Sequence, residues 1–417
     1  MGHGFSCIFM SAKKIAVLSV LLLLSVSLPL SGKGSVRCPA VNTDSALVWN
    51  NTGWQQPDDS SSVNKRGFIE RVKDYFKESN TEKQNKRFDF SVIGGPHYSS
   101  DTKLGLGLVA AGFYRKNLAD SLTTPSNVSL YGDISTVGFW LIGIRGDHIF
   151  PHDRQRLDYN MYFYSFPRHF WGIGYGAGSA ASDYTDFREL YLRASIDYLF
   201  KIGRAFYIGP AAEFQRSVAK DITPDNLYRW NGETLNCTNA GIGFRLQYDS
   251  RDNLTAATSG FYCALEQRYF PSFAGNIPKD FGYSELSLRF YRGVWKGGVL
   301  AGAYHARLSY GDVPWSQLST FGGSSTMRGY YEGRFRDKGE MDITFELRQH
   351  VYRRNGLAVW AGAGTVFPRF SAMRFRHILP NVGIGYRWEF KSRTNVRVDF
   401  GVGRGETAFI FSINEAF

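Results

Sequence analysis

A chain of 417 residues allows roughly one to three domains, and its 33 Phe, 24 Tyr and 45 Gly are a heavy aromatic and glycine load for an ordinary soluble domain. After residue 31 no run is apolar enough for a membrane helix, which needs about 20 residues; the composition instead fits a membrane β-barrel with aromatic girdles outside and a wet interior. The net charge of +12 is spread over nearly every segment, which argues for a basic lumen and basic loops and against nucleic acid as a partner.

Residues 1–34 are expected to be a signal peptide. Lys13 and Lys14 supply its charge, Ile15 to Leu30 its apolar stretch, and Ser31, Gly32 and Gly34 the small residues near the cut. Met10 is an alternative start, and Cys38 follows Val36-Arg37 instead of the small residues that lipid attachment requires. Residues 35–86 read as a short periplasmic lead-in. Within it an amphipathic helix is predicted over 65–79, with Phe68, Val72, Tyr75 and Phe76 on one face and Glu70, Lys73 and Lys77 elsewhere. Such a helix plugs the lumen, lies on a leaflet surface or is only a partly ordered lead-in. Cys38, Cys237 and Cys263 remain after the leader, an odd number that gives no disulfide or zinc framework.

From residue 87 to Phe417 the chain alternates. Leu190, Leu192, Ala194, Ile196, Tyr198 and Phe200 alternate with Tyr191, Arg193, Ser195 and Asp197; Val382, Ile384, Tyr386, Trp388 and Phe390 alternate with Asn381, Gly383, Gly385, Arg387 and Glu389. Charged residues on the second face mean that this face is wet, so the apolar face looks outward. About sixteen strands fit, with strands of about 9–11 residues and connections that alternate between short and long. The short ones include Gly203-Arg204 and Trp295-Lys296-Gly297, and the long ones 217–239 and 310–338. The expected fold is all-β: a 16-stranded antiparallel transmembrane β-barrel over 87–417, with both ends on the periplasmic side. In this register Cys263 faces lipid and Cys237 lies in an outer loop.

One long loop, Phe321 to Asp337, sets an arginine among glycines and aromatics: Thr326-Met327-Arg328-Gly329-Tyr330. Such an arginine can fold into a polar lumen as an internal latch. Three further places stand out. Asp249-Ser250-Arg251-Asp252-Asn253 precedes Ser259-Gly260; Val396-Arg397-Val398-Asp399-Phe400-Gly401 lies on the penultimate strand; a last strand carries Phe409 and Phe411 and ends in Phe417.

Taken together and in this order, these segments resemble the BamA/TamA-type outer-membrane barrels, also called the bacterial surface antigen family. The resemblance implies that the loop arginine pairs with acids on the following strands. It matches Arg328 with Glu346, and Glu389 and Asp399 are further inward-facing candidates. Where the family has an aspartate before Ala-Gly, this chain has Gly362 before Ala363-Gly364. Residues 35–86 leave no room for the periplasmic POTRA repeats of the family's insertases, so a barrel-only branch is expected.

Other chemistry is weaker. His148 and His152 flank a turn with Pro151, not a helix that would present them to zinc. Asp249, Arg251 and Asp252 suit a capped turn better than a calcium loop. Gly172-Ile173-Gly174-Tyr175-Gly176 has no helix after it to cradle phosphate, and no Gly-x-Ser-x-Gly elbow stands before the barrel. No catalytic constellation, cofactor or metal is expected, and the chain does not read as an enzyme. Two functions remain: an assembly or translocation barrel of the Gram-negative outer membrane, working with an assembly complex or client proteins, or a passive pore or structural surface-antigen barrel. Either would sit among outer-membrane lipid and lipopolysaccharide. Gly401, Gly403 and Gly405 would loosen the seam in the first case.

Overall fold

In the computed structural model, residues 88–99, 101–114, 126–180, 183–222, 230, 233–254, 256–391 and 394–417 are described. The leader, the helix expected over 65–79 and Cys38 lie outside them.

Alternation becomes strand almost without interruption. The first half of the wall is β1 (Phe88–Ser99), β2 (Lys103–Tyr114), β3 (Ser126–Ser135), β4 (Trp140–Ile149), β5 (Gln155–Phe170), β6 (Thr185–Lys201), β7 (Phe206–Lys220) and β8 (Asn236–Asp249). A short helix, α1 (Tyr175–Ser179), lies between β5 and β6. The wall continues with β9 (Gly260–Phe270), β10 (Phe281–Trp295) and β11 (Gly298–Gly311). The loop that follows carries a two-rung ribbon, β12 (Ser319–Thr320) with β13 (Arg336–Asp337). The last five wall strands are β14 (Gly339–Tyr352), β15 (Asn355–Phe367), β16 (Leu379–Lys391), β17 (Thr394–Gly403) and β18 (Glu406–Ile413). Leaving out the β12–β13 ribbon, these form one closed antiparallel barrel of sixteen strands in sequence order, with β1 returning to β18. Closure matters in hydrocarbon, where an unsatisfied backbone group costs several kcal/mol.

Side chains sort by parity. Leu104, Leu106 and Leu108 on β2, and Val382, Ile384, Tyr386 and Trp388 on β16, are exposed on the outside, while Asn381 and Arg387 are buried inside. No helix among the described residues is long and apolar enough to cross a membrane. From β10 to β17 the connections alternate in length: 296–297, 312–338, 353–354, 368–378 and 392–393.

Two expectations need correction. Cys237 is not in a loop: it lies on β8, buried, with its thiol 3.0 Å from the Thr234 carbonyl oxygen. The last strand ends at Ile413, four residues before Phe417, because the chain then turns inward. Cys263 shares a face of β9 with exposed Phe261 and Tyr269, and both cysteines are free.

The lumen is filled at its long-loop end. Phe170, Phe187, Trp230, Phe270, Phe281, Tyr283 and Trp315 pack there as one buried cluster. Phe170 stacks on Trp230 at 4.4 Å, and Trp230 meets Trp315 edge-on at 4.8 Å. Each such pair adds about 0.5–1.5 kcal/mol beyond burial.

Strand pairing is uneven. β5 and β6 register continuously from Gln155 opposite Phe200 to Phe170 opposite Thr185. Among the described residues, β1 and β18 register through one pair, Tyr98 opposite Phe411.

Candidate functional site: an arginine held in the barrel wall

The 312–338 loop folds into the lumen because its own apolar residues need cover. Phe321, Met327, Tyr330 and Phe335 pack with Val366 of β15 and Leu379 of β16. The Phe321 N–H donates to the Phe335 carbonyl at 2.9 Å and the Gly333 N–H to the Phe321 carbonyl at 3.0 Å, closing the neck above the ribbon. Gly329 stands at φ +131, where a Cβ would lie 2.9 Å from Asn381 Nδ2. Only glycine takes that backbone readily, and it aims Arg328 at the wall.

The wall is hollowed to receive it. A Cβ on Gly401 would collide with the Arg328 carbonyl oxygen, and one on Gly403 would lie 2.5 Å from the Tyr330 ring. Gly401 and Gly403 therefore make room for the loop. Gly405 sits in the β17–β18 turn at φ +70.

Arg328 is fully buried. Its Nη1 donates to Asp399 Oδ2 at 2.6 Å, its Nη2 donates to Glu346 Oε2, and its guanidinium lies 3.7 Å from the Trp360 ring centre. Its carbonyl accepts from Asn381 Nδ2. The two acids are shared. Arg387 Nη1 and Arg397 Nη1 reach Asp399 at 2.5 and 3.1 Å, and Arg348 Nε reaches Glu346 at 2.7 Å. Arg397 also donates to the Ser324 carbonyl of the loop at 2.8 Å. Tyr330 donates its hydroxyl to the Pro380 carbonyl at 2.6 Å and accepts the Arg404 N–H at 2.7 Å. Charge-assisted, desolvated bonds of this kind are the strong ones.

Glu389 takes another place. It lies near the short-turn end of β16, its N–H donating to the Arg354 carbonyl at 2.8 Å, and it lines a cavity of about 430 Å³ with Arg348, Arg387, Asn395 and Glu415. Gly362 stands where an aspartate was missed. A Cβ there would sit 2.8 Å from Thr344 Oγ1 and 3.3 Å from Met327 Sδ, so the loop itself occupies the space.

Over residues 146–417 the sequence matches the Omp85 superfamily domain. The chain belongs to the Omp85 superfamily. BamA from Haemophilus ducreyi, in a structure lacking POTRA domains 1-3, matches with a TM-score of 0.54 at 12% identity, over 79% of this chain and 70% of that one. CdiB from Acinetobacter baumannii matches at 0.53 and 11%, over 79% of this chain and 60% of that one. CdiB from Escherichia coli matches at 0.50 and 11%, over 77% and 62%. At such identities the likeness is one of fold, and the chain spans less than two thirds of either CdiB. No protein with a curated description matches the sequence. The resemblance to BamA-type barrels is thus borne out, and with its outward apolar band this Omp85 barrel is an integral outer-membrane protein.

The remaining sequence features of the Omp85 barrel lie apart from the loop arginine. In the β8–β9 turn Arg251 grips Asp249 with two bonds, Nε to Oδ1 at 3.0 Å and Nη2 to Oδ2 at 2.8 Å. Asp252 Oδ1 accepts the Thr258 and Ser259 N–H groups at 2.8 and 3.1 Å, Asn253 Oδ1 accepts that of Ala256 at 2.9 Å, and Gly260 opens β9 at φ +108. The carboxylates are thus engaged in holding a turn. On β18 Phe409 faces outward and Tyr98 meets it edge-on at 5.7 Å across the seam, while Phe411 is half-buried. Phe417 is buried against Ala257, Tyr291, Ala301 and Ala303. Glu415 accepts from Arg387 Nε at 2.9 Å and from Asn395 Nδ2 at 2.6 Å. Sequence reasoning missed Trp360, Asn381 and Glu415. The inward phase of β15 and β16 would have offered the first two; nothing in the alternation marks Glu415.

Proposed function

We propose that this Omp85 barrel serves outer-membrane protein assembly or translocation in a Gram-negative bacterium, with partner proteins that supply its clients, and that the Arg328 loop is its lumenal latch. The observation that carries this reading is the contrast between the β1–β18 seam, where among the described residues Tyr98 and Phe411 are the registered pair, and the long ladders elsewhere, as between β5 and β6. A sparsely paired edge offers backbone donors and acceptors to an incoming strand, which is how β-augmentation works. The latch reading rests on Arg328 bridging Glu346 of β14 and Asp399 of β17 from a loop that also reaches β18. Arg334 Nη1 lies 2.6 Å from Glu406 Oε1, and the Tyr331 N–H donates to Glu406 Oε2 at 3.1 Å. A loop so placed couples the lumen to the seam strand.

The alternative is a passive pore or structural surface-antigen barrel. The aromatic cluster across the outer end of the lumen weighs against a large steady conductance. A cysteine pair at Tyr98 and Phe411 decides between them. With the disulfide formed, assembly of other outer-membrane proteins should stall, and reductant should restore it. Normal assembly with a fully locked seam would overturn the reading.

A further inference from the structure

A second buried polar group lies on the lumenal wall, apart from the Arg328 network. Register sets His305 of β11 opposite Asp342 of β14, and Arg307 opposite Glu340. His305 Nδ1 lies 2.9 Å from Glu340 Oε2 and 3.7 Å from Asp342 Oδ2, and the three donor atoms fall within 4.8 Å of one another. The other ring nitrogen, Nε2, lies 3.2 Å from Glu285 Oε1 of β10, and Glu285 is in turn 3.4 Å from Arg307.

Two buried carboxyls face one imidazole here. Glu340 and Asp342 are 2% and 3% exposed, and among the described residues His305 is the cationic partner of both. With both carboxyls ionised, even a fully protonated imidazole leaves one negative charge over, to be met by a bound proton or a cation. Asp342 Oδ1 is moreover buried with no hydrogen-bond partner. Buried charges persist when they are paired or bind a metal.

We propose that His305 Nδ1, Glu340 and Asp342 bind one divalent transition-metal cation such as Zn²⁺, with Glu285 orienting the imidazole through Nε2. Zinc bonds of about 2.0–2.2 Å imply a tetrahedral donor–donor edge of about 3.3–3.6 Å. The 2.9 and 3.7 Å separations bracket that edge, so small side-chain shifts suffice. A carboxylate on the far ring nitrogen is the usual support of a metal-bound histidine. A dication on a neutral imidazole and two carboxylates brings the group to zero charge. The Thr326 hydroxyl donates to Asp342 Oδ2 at 3.4 Å, and Thr326 belongs to the Arg328 loop, so the cation would fix the base of that loop to β14.

The test is Zn²⁺ titration of the full chain, purified in detergent, stripped with chelator and checked for folding by its heat-modifiable gel mobility. One equivalent should bind. His305→Ala should abolish binding, Asp342→Asn and Glu340→Gln should weaken it at least tenfold, and Glu285→Gln should weaken it about 10–100-fold through loss of ring orientation. His169→Ala, at an exposed pair with Asp186, should leave that equivalent in place. If His305→Ala does not fold, the two isosteric carboxylate variants decide. Failure of the wild type to bind, or wild-type affinity in folded His305→Ala or in both carboxylate variants, would overturn the site and leave the imidazole as a simple ion-pair partner.

Discussion

Arg348 Nη2 donates to the main-chain carbonyl of Phe417 at 3.0 Å, drawing the end of the chain off the barrel wall and into the lumen. Phe417 thus acts as a buried anchor instead of the last residue of a strand. Replacing it with alanine removes its packing against Tyr291, Ala301 and Ala303 and should cost about 3–5 kcal/mol, as a buried Phe→Ala change does. A drop in the temperature of the heat-modifiable gel transition measures this. An unchanged transition would mean that the anchor contributes nothing.

Arg328→Ala leaves Glu346 and Asp399 paired with Arg348, Arg387 and Arg397, so what is lost is the hold on the loop. Losing its charge-assisted hydrogen bonds should cost about 1.5–3 kcal/mol. Arg328→Lys should recover little, because one ammonium cannot span two carboxylates and stack on Trp360 as a planar guanidinium does. Both variants should make the 312–338 loop sensitive to external protease on intact cells. Resistance equal to wild type in both would sink the latch.

Gly401→Ala is the smallest change that pushes on the loop from the wall side. Its Cβ collides with the Arg328 carbonyl oxygen, and overpacking of this kind costs about 1–3 kcal/mol. The same protease assay should show partial loop exposure, less than for Arg328→Ala. Gly405→Ala, with open space about its Cβ, should perturb the loop least.

Asp101, in the outer turn between β1 and β2, faces Glu332 of the loop and accepts its N–H. Burial, and after it the Glu332 carboxylate, push Asp101 up to about 7. The folded state therefore holds a proton that the unfolded chain, with a carboxyl near about 3.9, releases earlier. The stability this group contributes is complete below about pH 4 and is lost as pH rises through 7. Thermal transitions of wild type at pH 5.5 and pH 8 should differ by more than those of Asp101→Asn. Equal differences would refute the assignment.

Much of the barrel was readable because one rule governs it. Lipid outside and polar lumen inside impose a period of two, so Ile384, Tyr386 and Trp388 point one way and Arg387 the other, and the same phase turns Glu346 and Asp399 inward. What the period cannot supply is the path of a loop that crosses the lumen. Trp360 under the guanidinium and Asn381 on the Arg328 carbonyl become visible only once Gly329, Gly401 and Gly403 have set how close the loop comes. His305, Glu340 and Asp342 escaped for a related reason: strands β11 and β14 become neighbours only when the long loop is folded away between them. Phe417 was misplaced because alternation continues into residues that leave the wall.

The wall strands touched by Arg328 are β14, β15, β16 and β17, through Glu346, Trp360, Asn381 and Asp399. The last staves of the barrel are therefore bolted into one stiff panel, and Arg334 extends the bolt to β18 through Glu406. On the far side of the seam, among the described residues, the loop meets the β1–β2 hairpin through Asp101. Under the proposed opening, the Asp101–Glu332 contact is the tie that must break, with the panel as the fixed post and the hairpin as the door.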